Sequence, residues 1–185
     1  GDYTIEEIDA ATGPAIGRPK SATFRTLDIA GLDVALNVLR DLEARLDDPD
    51  EKRAFAPAPL LAALVDRGWT GAKAGQGFYR KDGEEILTLD PAEMSYRPKR
   101  AARLPSVEAA RQIERTPDRI RALFLGGDAA GRLLRDTLGR VLLYTARVTP
   151  AIAHSIDDVD RAMRWGFGWE RGPFESSDAR GLQAF

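Results

Sequence analysis

A chain of 185 residues is long enough to bury a core without disulfide or metal staples, and its 27 basic and 29 acidic side chains leave a net charge near −2. That balance offers no basic block to neutralise phosphates, which speaks against nucleic acid as a partner. Cysteine is absent, which removes disulfides, thiolate nucleophiles and sulfur-ligated metals and fits a cytoplasmic protein, while no apolar run reaches the roughly 18 to 20 residues that span a bilayer.

Gly1-Asp2-Tyr3 carries no initiator methionine and leads straight into a helix start, so the chain reads as a piece of a longer protein. Thr4 followed by Glu7 has capping-box spacing, and Ile5, Ile8 and Ala11 share the face of a first helix that stops near Gly13-Pro14. Gly31 ends a short second helix. Asp33 is expected to cap the next, with Val34, Leu36, Val38, Leu39, Leu42 and Leu46 as its apolar stripe. Asp47-Asp48-Pro49-Asp50 ends that helix, and Pro57 and Pro59 precede another over Leu60 to Arg67.

The pattern changes over residues 68–90, where glycines give way to Phe78-Tyr79, Asp82-Gly83 and Ile86-Leu87-Thr88-Leu89. Aromatic and branched residues around Asp-Gly predict a hairpin. Helical periodicity returns in Val107 to Ile113 and Pro117 to Leu125, and then in one long helix from Asp128 to Val148. Leu133, Leu134, Leu138, Val141, Leu142 and Tyr144 form its apolar face.

An internal echo joins the two ends of the chain. Residues 4–32 align with 155–182 once one residue before the phenylalanine is deleted. The identities pair Ile5 with Ile156, Asp9 with Asp160, Ala11 with Ala162, Gly17 with Gly168, Phe24 with Phe174, Asp28 with Asp178, Gly31 with Gly181 and Leu32 with Leu182. Chance at ordinary residue frequencies gives about two identities. Such a long period excludes a solenoid and predicts duplicated halves packed on one another, each covering the other's apolar face.

The sites suggested by residue type are weak. His154, the single histidine, precedes a helix start at Ser155 with Asp157 and Asp158 nearby, which is also how an ordinary helix N-terminus looks. One histidine and no cysteine exclude a zinc site of the usual kind. GAKAGQG, residues 71–77, follows a helix and has Arg80 where the third glycine of a dinucleotide fingerprint would stand. Asp128 after Gly126-Gly127 suits an N-cap better than a phosphate neighbour. Glu6-Glu7 and Asp157-Asp158 recur at matching helix starts, which favours dipole stabilisation over acid/base work.

The segments TIEEIDAATGPAIGRPKSATFRTLDIAGLDV, GWTGAKAGQGFYRKDG and DDVDRAMRWGFGWERGPFESSDARGL resemble the C-terminal helical domain of bacterial 3-hydroxyacyl-CoA dehydrogenases. The similarity is narrower still to the long multidomain type that also carries an enoyl-CoA hydratase region. The resemblance implies an all-α fold of duplicated helical units, of the 6-phosphogluconate dehydrogenase C-terminal-domain-like type, with one small β-hairpin near residues 77–90. One domain over 1–185 is expected, with a first repeat unit about 4–46, a hairpin region about 68–90 and a second repeat unit about 128–185.

It further implies an intact enzyme that oxidises 3-hydroxyacyl-CoA to 3-oxoacyl-CoA with NAD in fatty-acid β-oxidation. The dinucleotide and a His–Glu pair then belong to an N-terminal Rossmann domain absent from these residues. An asparagine of the helical domain lies upstream of Gly1, and Asn37 does not match it. No catalytic, cofactor or metal residue is therefore expected here. Pro19, Lys20, Ser21 and Phe24 are the candidates to line the acyl-CoA cleft, because their turn opens a helix N-terminus. The implied partners are the chain's own Rossmann domain, the acyl-CoA and a second copy in a homo-dimer. The alternative is a non-catalytic helical oligomerisation module anchored by Trp69, Trp165 and Trp169.

Overall fold

The computed structural model describes residues 3–179. Among these, contacts separate two compact units, one formed by residues 3–22 and 101–179 and the other by residues 23–100.

The first unit opens with α1 (Ile5–Thr12), where Thr4 and Glu7 make the reciprocal capping box. Gly13-Pro14 breaks the helix into a 3-10 turn, Pro14–Ile16, closed by Gly17 at φ 73°. After the second unit the chain returns through α6 (Pro105–Ala110), α7 (Thr116–Leu125), α8 (Ala129–Asp136), α9 (Leu138–Ile152), α10 (Ile156–Phe167) and α11 (Pro173–Ala179). Ala11 and Ile16 join Ile120, Leu123, Ala130, Leu133, Leu134 and Leu138 in one buried cluster.

The long helix expected from Asp128 to Val148 is two helices. A one-residue break at Thr137, φ −105°, ψ −70°, separates them, although its amide and its hydroxyl both donate to the Leu133 carbonyl, at 2.9 and 2.7 Å. The second of the two runs on through Pro150 to Ile152, past the expected end at Val148. The Thr149 hydroxyl bonds the Thr145 carbonyl inside that last stretch. Leu133, Leu134, Leu138 and Leu142 are buried, whereas Val141 is exposed.

The second unit holds α2 (Phe24–Ala30), α3 (Leu32–Arg45), α4 (Pro49–Phe55), α5 (Pro59–Asp66) and a small sheet. Asp33 does not cap α3. Gly31 takes the cap position at φ 101°, and Asp33 in the first turn binds Lys73 Nζ at 2.6 Å. The α3 stripe also narrows: Leu32 and Leu36 are buried while Val34 and Val38 point to solvent, half a helical turn away. The acidic run after α3 starts a further helix, because Asp48 accepts from the Asp50 and Glu51 amides and Pro49 fills N1 of α4.

The hairpin of β1 (Tyr79–Asp82) and β2 (Glu85–Asp90) turns at Gly83, φ 59°. A third antiparallel strand, β3 (Ser95–Pro98), pairs with β2 from Leu87↔Pro98 to Asp90↔Ser95, extending the expected hairpin to three strands. Tyr96 anchors it, donating to the Gly77 carbonyl at 2.7 Å and packing on Trp69 at 5.2 Å.

Candidate functional site

The four candidate lining residues do not form one cluster within a unit. Pro19 and Lys20 are exposed on the loop after Gly17, and Ser21 is half-buried beside them. A bond from the Ala22 amide to the Pro19 carbonyl closes that loop, and Ala22 adopts φ 49°. Phe24 belongs to the other unit, where its ring lies 4.5 Å from that of Phe78. Thr23 makes no side-chain cap, and α2 has only seven residues.

Residues 17–19 pack on their own echo. Arg18 places its guanidinium 4.0 Å from the centre of the Trp169 ring, and the Glu170 amide donates to the Gly17 carbonyl at 2.7 Å. A methyl group at Gly17 would meet the Glu170 side chain, and one at Gly168 would meet Pro19 at 3.7 Å. Burial under Trp169 lowers the Arg18 pKa to about 10, so the group stays charged at neutral pH. Glu170 also accepts from the Thr116 hydroxyl at 2.6 Å, and Arg119 bridges Thr116 to the Pro14 and Ala15 carbonyls. These basic and hydroxyl groups thus hold loops together.

The glycine-rich segment 71–77 closes on a carboxylate. Asp28, 1% exposed, accepts from the Phe78 and Tyr79 amides at 2.8 and 2.9 Å, one per oxygen. The Gly71, Ala74, Gly75 and Gly77 amides bond to the carbonyls of Gln76, Gly71, Ala72 and Tyr79. A phosphate cradle needs amides free to face the anion. Here the amides of Gly71, Gly75 and Gly77, three of the glycines such a cradle would use, are already spent on backbone carbonyls, which does not fit a dinucleotide. The sequence pointed past Asp28 because an aspartate in a short helix reads as surface; the signals were Gly71 and Gly77, where any Cβ would overlap Asp28.

Asp160 repeats the device in the other unit, accepting from the Phe174 and Glu175 amides at 2.8 and 3.0 Å beside Gly172. Desolvation raises its pKa against those two bonds. His154 is exposed. Its neighbour Ser155 caps α10, and Asp158 is held below the usual carboxylate range first by Arg161 and then by Ser155. Asp128 caps α8 and accepts from the Ser106 amide and hydroxyl. Among the described residues no group of three or more His, Cys, Asp or Glu side chains gathers to hold a metal, and no helix is long and apolar enough to cross a membrane.

Residues 1–81 match the family described as 3-hydroxyacyl-CoA dehydrogenase, C-terminal domain. A Bacillus subtilis protein named as a probable 3-hydroxyacyl-CoA dehydrogenase is 46% identical over 183 residues, 99% of this chain and 23% of its own length. The chain belongs to the 3-hydroxyacyl-CoA dehydrogenase family. Two other relatives of this dehydrogenase domain widen the comparison. A Deinococcus radiodurans protein with the same kind of name is 40% identical over 82 residues, 44% of the chain and 23% of that protein. A Rickettsia felis protein named as a fatty acid oxidation complex trifunctional enzyme is 23% identical over 167 residues, 86% of the chain and 21% of that protein. The dehydrogenase-family chain therefore spans less than a quarter of the length of these relatives. No solved structure matches it.

Proposed function

We propose that this chain is the substrate-side and association domain of an NAD-dependent 3-hydroxyacyl-CoA dehydrogenase, which converts 3-hydroxyacyl-CoA to 3-oxoacyl-CoA in cytoplasmic fatty-acid β-oxidation. The parent is of the long type with an enoyl-CoA hydratase region, and its units repeat over about 4–46 and 128–185. The observation that carries this reading is the match of residues 1–81 to the family's C-terminal domain. The glycine-rich loop committed to Asp28 supports placing NAD elsewhere, in an N-terminal Rossmann domain. NAD supplies the hydride acceptor there. The residues of this chain contribute orientation: Pro19, Lys20, Ser21 and Phe24 line the acyl-CoA, and the Arg18–Trp169 stack fixes the loop that carries the first three.

The chain alone should reduce NAD with 3-hydroxybutyryl-CoA at least about a thousandfold more slowly than the full-length parent, since it lacks both the dinucleotide and the acid/base pair. Comparable rates in a spectrophotometric NADH assay would overturn the proposal. A second reading, a non-catalytic oligomerisation module, draws on Trp165, which is 78% exposed. Light scattering separates the two: a stable oligomer of a parent with no dehydrogenase activity favours the module.

A further inference from the structure

Arg18 is a half-buried cation without a counter-charge. Its guanidinium stands 4.0 Å from the centre of the Trp169 ring, and among the described residues its side chain has no hydrogen-bond or ion-pair partner. Desolvation is the one influence on its pKa, with no carboxylate acting in the other direction. Arg119, in the same unit, is the contrast. That guanidinium donates to the Pro14, Ala15, Ile113 and Glu114 carbonyls and to the Thr116 hydroxyl. A guanidinium has N–H donors around its whole rim, and leaving them unmatched away from bulk water is costly.

Glu170 does not neutralise Arg18, although its amide bonds the Gly17 carbonyl. One of its carboxylate oxygens accepts from the Thr116 hydroxyl at 2.6 Å, and the other lies 3.9 Å from Arg119. Lys20 follows two residues after Arg18, and Arg171, its counterpart in the echo, two residues after Trp169. Lys20 is exposed and Arg171 half-buried, and neither side chain has a hydrogen-bond or ion-pair partner among the described residues. The two loops pack on each other through Gly17 with Glu170 and Gly168 with Pro19. Together they present Arg18, Lys20 and Arg171 without matching acids.

A monocarboxylate balances only part of that charge, and an apolar ligand none of it. A phosphate monoester brings a charge of about −2 at neutral pH and oxygens that suit the guanidinium fork. With one face of the guanidinium against the indole, the rim of N–H donors is left for such an in-plane acceptor. We infer that the Arg18–Trp169 stack, with Lys20 and Arg171 on the same two loops, is a binding site for a phosphate monoester. Two sources carry that group: the 3′-phosphate of coenzyme A and a free phosphate compound. The coenzyme A source rests on the dehydrogenase reading, whereas the site rests on unmatched charge.

Arginine labelling with phenylglyoxal, read peptide by peptide by mass spectrometry on the full-length parent, tests it. With coenzyme A or inorganic phosphate at about ten times its Kd, labelling of Arg18 should slow about tenfold. The surface-paired Arg45 and Arg53 should keep their rates. Dephospho-coenzyme A, which lacks the monoester, should not protect. Lys20→Gln, at an exposed position, should raise the ligand concentration for half-protection about two- to fivefold. Half-protection at a lower concentration of coenzyme A than of phosphate assigns the coenzyme as the source, and protection by phosphate alone assigns a free phosphate compound. No protection by either ligand, equal protection by dephospho-coenzyme A, or protection indifferent to Lys20→Gln would each overturn the proposal. A parent active as a dehydrogenase but unprotected at Arg18 refutes the site and leaves the dehydrogenase reading intact; protection in an inactive parent does the reverse.

Discussion

Asp28 and Asp160 each hold two consecutive backbone amides in a buried setting, which makes them more than surface acids in short helices. Asp28→Ala strands the Phe78 and Tyr79 amides, and losing acceptors at two buried donors costs about 2 to 4 kcal/mol, to be read from urea unfolding. Gly172→Ala should be comparably harmful, because its Cβ would overlap Asp160 with backbone on the other side. Asp128 and Asp160 titrate with opposite sign. Burial opposes ionisation of Asp128, but the Ser106 and Gly131 bonds outweigh it and hold its pKa below the ordinary 3.8. Its stabilisation is therefore present above pH 3.8 and lost as pH falls through the lower folded value. Asp160 is raised by desolvation, so its ionisation erodes stability as pH rises from 3.8 through the folded value. Tyr96, raised to about 12 by burial first and the Asp28 charge second, should titrate late in an ultraviolet pH scan.

At the scale of elements, α8 owes its start to Asp128, which also receives the Ser106 amide and hydroxyl from α6. Asp128→Ala should therefore cost about 1 to 2 kcal/mol at neutral pH. The gap between variant and natural protein in Tm should shrink on acidification below pH 3.8, the sign set by the lowered carboxyl. Thr137 is the other decisive position in this stretch. Its backbone departs to φ −105°, ψ −70°, and two helices stand where periodicity alone reads one. Periodicity reports which side chains are apolar, and a change of backbone angle at one residue leaves no mark on it. The third strand escaped for a similar reason: Ser95 to Pro98 has no alternation, and it is fixed by its ladder to β2 and by Tyr96 reaching Gly77.

Across the whole molecule, each unit has its own buried scaffold, one centred on Ile120, Leu123, Leu133 and Leu134 of α7 and α8 and one on Leu32, Leu36, Leu64 and Leu89. Asp28→Ala should accordingly speed exchange across residues 23–100 as a block while residues 101–179 keep their protection, a result that hydrogen exchange resolves peptide by peptide. The first repeat is divided by this arrangement, since its α1 lies in the unit that contains α10 and α11 while its α2 and α3 lie in the other.

The helix caps, the hairpin turn, the mostly helical fold and the family likeness were all decided locally, by residue types at fixed spacing: Thr4 with Glu7, Asp128 before α8, Gly83 in the turn. Of the candidate lining residues, the sequence could mark Pro19, Lys20, Ser21 and Phe24 only as neighbours along the chain. Tertiary structure alone decided that the first three share a loop stacked through Arg18 on Trp169 while Phe24 joins a different unit. It also decided that Asp28 closes a glycine loop fifty residues away, and that Ile5 is buried where Ile156 is bare. Identical residues carry identical propensity, and only the neighbours brought by the fold set their burial and their hydrogen-bond partners.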